Sequence, residues 1–329
     1  MNSSLPLAPV LGVDIAKGTF DVALLLPNDQ IYNKHFANTP SGFAGLLGWL
    51  ERRGMKRLHA CMEATGSYGQ ALATFLHHAG HLVSMVNPKQ VRAFAQSELA
   101  RNKHDKLDAG VIARFCRAHR PRPWSPPRPE IVELQALVRR LEALQQMRQQ
   151  ELNRLDCGVQ PSVRNSIDEH VQFLDGQITK TKEAIKEHMD QHPKLRANRD
   201  LLVSIKAIGQ STAALLLAEI PDIEQFAQAR QVAAFIGLTP LNRSSGSSVR
   251  GKARLSKIGS ARIRKALYMP ALVAIKYNPV VRELAGRLAN NGKVPMVIIG
   301  AAMRKLVHLA YGVLKTGRPF DPQHAYASS

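Results

Sequence analysis

Cysteine, aromatic residues and acidic residues are all scarce in this chain of 329 residues. Its three cysteines, Cys61, Cys116 and Cys157, form no CxxC pair, which argues against a zinc site or a disulfide framework. Aromatic residues make up 5% of the chain, too few for a single-strand binder built on base stacking. No apolar run approaches the roughly 18 residues of a membrane-spanning helix, and residues 1–9 carry no secretion signal. We therefore expect a cytoplasmic protein with no membrane partner.

The shortage of acids leaves a large positive charge. Lysine and arginine number 45 against 25 aspartates and glutamates, a net charge of +20. The excess is concentrated between Arg243 and Lys305, where 14 basic residues accompany one acid, Glu283. A balance of this kind is typical of proteins that bind a polyanion, either nucleic acid or an anionic membrane surface.

The first distinctive stretch is residues 11–26. Two apolar runs flank Lys17-Gly18, a pattern that predicts a β-hairpin. Asp14 interrupts the first run. A carboxylate in the middle of a core strand costs several kcal/mol unless it is paired. Either a basic side chain or a metal ion must therefore neutralise Asp14.

The pattern of residues 1–125 predicts an α/β domain. Its order is β-β-β-α-β-α-β-α, an antiparallel meander that leads into parallel crossover units. This is a mixed five-stranded sheet with helices on both faces, the arrangement of a ribonuclease-H-like domain. After the hairpin, strands are expected at 30–38, 58–62 and 82–86, and helices at 39–53, 68–78 and 106–119.

A proline-rich linker ends this domain, and residues 126–195 are expected to form a helical coiled-coil linker. Leu134, Leu137, Leu141 and Leu144 share one stripe, and a turn is expected at 158–162. The pattern therefore predicts an antiparallel helical hairpin or coiled coil. The alternative is a solvated helix that pairs with nothing.

Residues 196–329 are expected to form a third, mostly α-helical domain. Within it, residues 201–218 resemble a helix-hairpin-helix, whose glycine turn presents backbone N–H groups to a phosphate. The usual Pro-Gly-Ile-Gly turn is replaced here by Lys206-Ala207-Ile208-Gly209. A plain packing element of two helices is the alternative.

Four acids occupy positions that such a fold brings together: Asp14, Glu63, Asp105 and Asp108. Glu63 ends the strand expected beside that of Asp14. Asp105 and Asp108 are three residues apart, so they share a helix face, although each is also suited to a helix start. Clustered carboxylates repel one another, and Mg²⁺ relieves that repulsion because it prefers oxygen ligands. Two such ions about 4 Å apart can activate a nucleophile and stabilise the leaving oxygen of a phosphodiester.

Serine and glycine alternate with basic residues at 237–254. One interpretation is a flexible loop that touches phosphate. The other is a serine hydroxyl that attacks phosphorus while basic side chains stabilise the developing charge. The candidate residues for nucleic-acid contact in and beside this stretch are Arg243, Arg250, Lys252, Arg254 and Lys257.

Four motifs recur together in one order: Gly12 to Lys17, Met62 to Gly66, Asn102 to Ala109, and Ala234 to Pro240 followed by Ser245-Gly246-Ser247-Ser248. As an ordered set they resemble the DEDD transposases of the insertion-sequence-110 family, relatives of the Piv pilin invertase. The resemblance covers essentially the whole chain.

The resemblance implies a RuvC-like N-terminal domain, a coiled-coil linker and a C-terminal transposase domain. It implies that Asp14, Glu63, Asp105 and Asp108 are catalytic Mg²⁺ ligands. It also implies a catalytic serine that forms a covalent 5′-phosphoserine intermediate. Ser245 matches best, with Ser244, Ser247 and Ser248 as alternatives.

The partners that the resemblance implies are donor and target DNA, a structured non-coding guide RNA, and further copies of the chain in a dimer or tetramer. The expected function is that of a recombinase of a bacterial insertion sequence. A Holliday-junction-type nuclease in which water attacks is one alternative. A non-catalytic nucleic-acid-binding protein is another, although the intact set of four acids argues against it.

Overall fold

A computed structural model describes residues 8–64, 68–97, 109–220, 222–223, 226–241, 244–245, 249–250, 254–256 and 258–323. The chain forms two compact units, residues 1–126 and 127–329. The finer division into three domains, with boundaries at 125/126 and 195/196, stays a prediction.

The first unit is built on a five-stranded mixed sheet. Its strands are β1 (Val10–Ile15), β2 (Thr19–Leu25), β3 (Ile31–Ala37), β4 (His59–Glu63) and β5 (Leu82–Val86), and its helices are α1 (Pro40–Glu51), α2 (Gln70–His78), α3 (Pro88–Ser97) and α4 (Ala109–His119). The strand order is β3-β2-β1-β4-β5. The pairs β1–β2 and β2–β3 are antiparallel, whereas β1–β4 and β4–β5 are parallel. The predicted mixed sheet is confirmed.

Helices cover both faces of this sheet, because alternate residues of each strand point to opposite sides. Leu11 and Val13 of β1 pack in a cluster with residues of α1 and α2. Val10 packs in a second cluster, with residues of α3 and α4. The central strand β1 thus contributes to two cores, and its even-numbered residues lie on the α3/α4 face.

The second unit is mostly helical. Its helices are α5 (Pro129–Asp156), α6 (Pro161–Gln191), α7 (Pro193–Val203), α8 (Gln210–Glu219), α9 (Ala229–Ile236), α10 (Ala261–Tyr277), α11 (Pro279–Asn290) and α12 (Pro295–Thr316). Between α9 and α10 lie four two-residue strands, β6 (Pro240–Leu241), β7 (Ser244–Ser245), β8 (Val249–Arg250) and β9 (Arg254–Leu255).

The helices α5 and α6 form an antiparallel hairpin. His188 Nε2 lies 2.8 Å from the carbonyl oxygen of Glu130 at the open end. Closer to the turn, Arg148 Nε donates to Asp175 Oδ1 at 2.6 Å. The predicted hairpin is confirmed, and the alternative of a helix that pairs with nothing is wrong.

Within the described residues, α12 is the one helix whose length and apolar composition would allow it to cross a membrane. The sequence analysis expected no such segment. Arg304 and Lys305 interrupt its apolar run. Leu306 and Val307 are buried in the core of the second unit, to which α5 and α6 also contribute. We therefore interpret α12 as a core helix.

The turn between α7 and α8 is the one that resembles a helix-hairpin-helix. Ala207 has φ 91°, a conformation that glycine adopts more readily. The buried Asn278 donates from Nδ2 to the carbonyl oxygen of Lys206 at 3.2 Å. This contact packs the turn against the start of α11, and a DNA contact here stays a prediction.

Candidate catalytic site

A row of polar residues crosses four neighbouring strands of the first unit. Val13 pairs with Met62, so Asp14 and Glu63 follow as neighbours on β1 and β4. On the other side Asp14 pairs with Asp21 of β2, and Asp21 pairs with His35 of β3. Neighbouring strands lie about 4.8 Å apart. The register therefore places three carboxylates and an imidazole side by side on the face that α4 covers.

The electrostatics of Glu63 show that Asp14 is close. Burial raises the pKa of the Glu63 carboxyl, the negative charge of Asp14 raises it further, and Arg92 of α3 opposes both effects. The Oε1 atom of Glu63 is buried and accepts no hydrogen bond from the part of the chain that the structure describes. A half-buried acid with an unsatisfied oxygen and a like-charged neighbour fits a divalent cation, which would relieve both penalties.

The start of α4 lies directly on β1 at Gly12. A β-carbon on Gly12 would lie 1.9 Å from the carbonyl oxygen of Ala109 and 2.4 Å from the nitrogen of Ala113. Only glycine allows the helix backbone to approach the strand so closely. Gly12 lies two residues before Asp14 on the same face, so the first described residue of α4 is held close to the acid pair.

The other two predicted acids, Asp105 and Asp108, fall in residues 98–108, outside the described residues. Of the predicted metal ligands, the structure therefore shows two brought together, Asp14 and Glu63. Within the described ranges, no group of three or more His, Cys, Asp or Glu side chains is placed to hold a metal ion. The roles of all four acids stay predictions.

Asp21 and His35 were missed by the sequence analysis. Asp21 Oδ1 and His35 Nδ1 are 2.8 Å apart, and each side chain is more than half exposed. A cavity of about 410 Å³ is lined by both residues together with Ala109 and Gly110. The signal for Asp21 was present in the sequence, because a two-residue loop at 17–18 makes residues 14 and 21 partners.

The serine-rich stretch of the second unit forms nested hairpin ladders. In the first ladder, Pro240 pairs with Leu255 and Leu241 with Arg254. In the second ladder, which the first encloses in sequence, Ser244 pairs with Arg250 and Ser245 with Val249. Ser245 is thus the last residue of β7, and residues 246–248 lie outside the described residues.

Among the basic candidates, the structure places the backbone of Arg250 in β8 and that of Arg254 in β9. Arg243, Lys252 and Lys257 lie outside the described residues. Contacts between these five residues and nucleic acid stay predictions.

Two family models match the chain and together span most of it. Residues 11–160 match the DEDD transposase model of the IS110 family, described as a transposase. Residues 199–285 match a model described as a transposase of the IS116/IS110/IS902 family. The first match contains Asp14 and Glu63, and the second contains Ser245.

Two curated relatives are similar to this chain over nearly their whole length. The pilin gene-inverting protein of Moraxella bovis is 32% identical over 314 residues, which cover 94% of this chain and 97% of that protein. A transposase for the insertion sequence element IS1328 of Yersinia enterocolitica is 25% identical, with 96% and 100% of the two chains covered. Because both halves match IS110-family models and a relative above 30% identity is covered end to end, the chain belongs to the IS110 family of transposases, enzymes that act on DNA.

Proposed function

We propose that this transposase cuts and rejoins the DNA of a bacterial insertion sequence through a serine–DNA intermediate, at a site where Asp14, Glu63, Asp105 and Asp108 hold Mg²⁺. The observation that carries the proposal is that Asp14 and Glu63 directly follow the paired residues Val13 and Met62 on the neighbouring strands β1 and β4. Their repulsion and the buried, unsatisfied oxygen of Glu63 destabilise the fold, and a bound cation would relieve both costs.

Divalent metal use is suggested by membership of the DEDD family, and the oxygen ligands favour Mg²⁺ over softer metals. Asp108 is bonded to Ala109, whose backbone rests on Gly12, and consecutive Cα atoms are about 3.8 Å apart. This chain connection supports a place for Asp108 near Asp14. Bound Mg²⁺ would supply activation of the nucleophile and stabilisation of the leaving oxygen.

The serine step is proposed for Ser245, with Ser244, Ser247 and Ser248 as alternatives. Its Oγ attacks the phosphorus of the DNA backbone, a bond from Oγ to phosphorus forms, and the 3′ oxygen of the preceding nucleotide leaves as a hydroxyl after protonation. The strand end that remains is a 5′-phosphoserine. Rejoining reverses the exchange with the 3′ hydroxyl of a new strand. Basic residues around the serine would neutralise the phosphates, namely Arg243, Arg250, Lys252, Arg254 and Lys257.

The partners we propose are donor and target DNA, a structured non-coding guide RNA, and one or three further copies of the chain, all in the cytoplasm. The net charge of +20 supports binding of both DNA and RNA backbones. The Moraxella relative is named for inverting a gene, which favours recombination over cleavage alone.

A denaturing gel tests the proposal. Full-length protein is incubated with Mg²⁺, end-labelled DNA spanning the junction of its element, and RNA transcribed from the flanking region. We expect a covalent protein–DNA adduct in the wild type that is lost in Ser245→Ala and Asp14→Ala. Ser244→Ala is the matched control, one residue away in the same strand, and should retain the adduct.

Each other outcome has a definite meaning. An adduct that survives in Ser245→Ala but not in Ser244→Ala would move the nucleophile to Ser244, and one that survives both changes would move it to Ser247 or Ser248. Cleaved DNA without any adduct would show that water attacks, and the nuclease alternative would replace the recombinase.

A further inference from the structure

The hairpin that carries Ser245 begins and ends at a single point. Gly237, with φ 82°, ends α9, and Gly259, with φ 144°, precedes α10. A β-carbon on Gly259 would lie 2.7 Å from the nitrogen of Gly237 and 2.2 Å from the carbonyl oxygen of Phe235. We call the segment from Leu238 to Ile258 the serine arm, and the two touching glycines its neck.

One side chain closes this neck. Arg264, one turn into α10, donates from Nη1 to the carbonyl oxygen of Ile236 at 2.8 Å and to that of Gly259 at 3.1 Å. Ile236 directly precedes Gly237 on one side of the neck, and Gly259 is the other side. A single nitrogen of Arg264 therefore joins the two sides. The guanidinium of Arg264 is partly buried, and this burial lowers its pKa.

The base of the arm has further anchors on α12. Arg304 Nη1 donates to the carbonyl oxygen of Leu238 at 3.2 Å. The side chain of Leu255 packs on Gly300, where a β-carbon would lie 3.2 Å from Leu255 Cδ1. Between the two strands at the base of the arm, the amide of Ser256 donates to the carbonyl oxygen of Thr239 at 2.9 Å. In the rest of the arm, the backbone pairing that the structure describes consists of the two-residue ladders β6–β9 and β7–β8.

Small changes at the neck are therefore magnified at the outer end. Leu241, the last described residue before 242–243, is four residues from Gly237, a span of up to about 13 Å at about 3.3 Å per strand residue. Over that length a rotation of about 5° at the neck already moves the chain by about 1 Å, whereas reacting groups must be held within about 0.5 Å.

We propose that Arg264 is a positioning residue for the recombination reaction: by bonding both sides of the neck, it fixes the direction in which the arm presents Ser245. This inference rests on the proposed role of Ser245 as the nucleophile. Arg264 itself lies at the base of the arm and acts through the arm.

The test compares Arg264→Gln and Arg264→Lys with Arg262→Gln in the full-length protein. Arg262 is on the same helix, but it donates to Glu142 at 2.6 Å and Glu219 at 2.8 Å instead of to the neck. Three quantities are measured: hydrogen exchange of the Ser256 amide, the single-turnover rate of adduct formation at saturating DNA, and the Kd for DNA.

We expect Arg264→Gln to accelerate Ser256 exchange at least about tenfold. The adduct rate should fall by up to about 100-fold, the loss that a displacement of about 1 Å at the reacting groups can cause, with the Kd changed less than about threefold. Arg264→Lys should recover part of the rate, because an ammonium can still donate to one carbonyl. Arg262→Gln should lower the Tm while leaving exchange at Ser256 and the adduct rate near wild type.

Unchanged Ser256 exchange in Arg264→Gln would overturn the inference, as would a rate loss matched by Arg262→Gln or explained by weaker DNA binding. The nucleophile is judged separately. Absence of an adduct in the wild type would overturn the role of Ser245 and the positioning role together, while Ser256 exchange would still report whether Arg264 closes the neck.

Discussion

The two units hold their candidate chemical groups in opposite ways. Asp14 and Glu63 are on the central strands β1 and β4 of a five-stranded sheet, with helices over both faces. Ser245 is on a two-residue strand near the end of an arm. Groups that share a metal ion must keep a fixed mutual geometry, which a sheet supplies through its ladder. A group that reaches a large substrate depends instead on the few contacts at the base of its support.

The largest expected effect concerns the acid pair. Glu63→Gln should reduce strand transfer by more than about 100-fold, the upper range for outer-shell partners of a metal, since Glu63 is proposed as a direct ligand. In metal-free protein at neutral pH the same change should raise the Tm, because it removes a charge that burial and Asp14 disfavour. Calorimetry of wild type and Glu63→Gln, each with and without Mg²⁺, measures the Tm of the metal-bound and metal-free protein.

The sign of the pH effect follows from the same raised pKa. Above its ordinary value of 4.5 and below its raised value, Glu63 holds more proton in the folded than in the unfolded state. Its contribution to the free energy of unfolding therefore falls as the pH rises through that window. Glu63→Gln should remove this slope in metal-free protein. A lower Tm for Glu63→Gln without metal would mean that Glu63 is a structural partner and would weaken the metal site.

The next largest expected effect concerns the stability of the first unit, where the backbone of α4 packs on Gly12 of β1. Gly12→Ala should destabilise the first unit by about 3 kcal/mol, because the added β-carbon would overlap the backbone at Ala109 and Ala113. Gly18→Ala is the matched control in the same hairpin, since a β-carbon there meets nothing within 4 Å, and it should change stability by less than about 0.5 kcal/mol. Equal melting curves for the two variants would contradict the close packing of α4 on β1.

A smaller effect is expected at the strained turn of the second unit. Ala207→Gly should stabilise that unit by about 0.5–1 kcal/mol, because the φ of 91° favours glycine over alanine. Urea unfolding monitored by circular dichroism gives the change. Gly209→Ala, two residues away at a φ of −90°, serves as the comparison. It should change stability by less than about 0.5 kcal/mol, because the entropy that alanine removes from the unfolded chain is offset by its poorer fit at the N-cap of α8. A loss of stability in Ala207→Gly would show that the turn is not strained.

The smallest effect is expected on the helical hairpin. Arg148→Ala breaks a pair with Asp175 in which both side chains are more than a third exposed. Such pairs contribute about 0–1 kcal/mol, and the difference from wild type should shrink further in 1 M salt. Replacing the buried Leu144 by Ala should cost about 2–5 kcal/mol in the same assay. Comparable costs for the two changes would mean that charge, rather than the buried stripe, holds α5 to α6.

Local patterns predicted much of the fold. The strand expected at 82–86 matches β5, and the leucine stripe of α5 marks the face that packs on α6, because apolar periodicity reports burial directly. The adjacency of Asp14 and Glu63 also followed from the crossover order of strands. Asp21 was missed because the pairing register of the hairpin, which the loop at 17–18 fixes, was not worked out from the sequence.

Arg264 shows where sequence reasoning ends. Its acceptors are backbone carbonyls of Ile236 and Gly259, and a carbonyl is present at every residue whatever its side chain. No composition or spacing distinguishes the two that Arg264 contacts. Long-range bonds from side chain to backbone depend on the packing of helices, which the local pattern does not encode.

The glycine seat under α4 also has a consequence for how the first unit folds. The strand and the helix are nearly 100 residues apart in the chain, so they meet by a non-local search. Val10 and Asp14, the neighbours of Gly12 on the same face, each carry a β-carbon. A helix shifted by one pleat, about 7 Å along the strand, would meet that carbon, at a cost comparable to the ~3 kcal/mol expected for Gly12→Ala. Gly12 therefore favours one alignment of α4 on β1 during folding, the alignment in which the helix covers the acid pair.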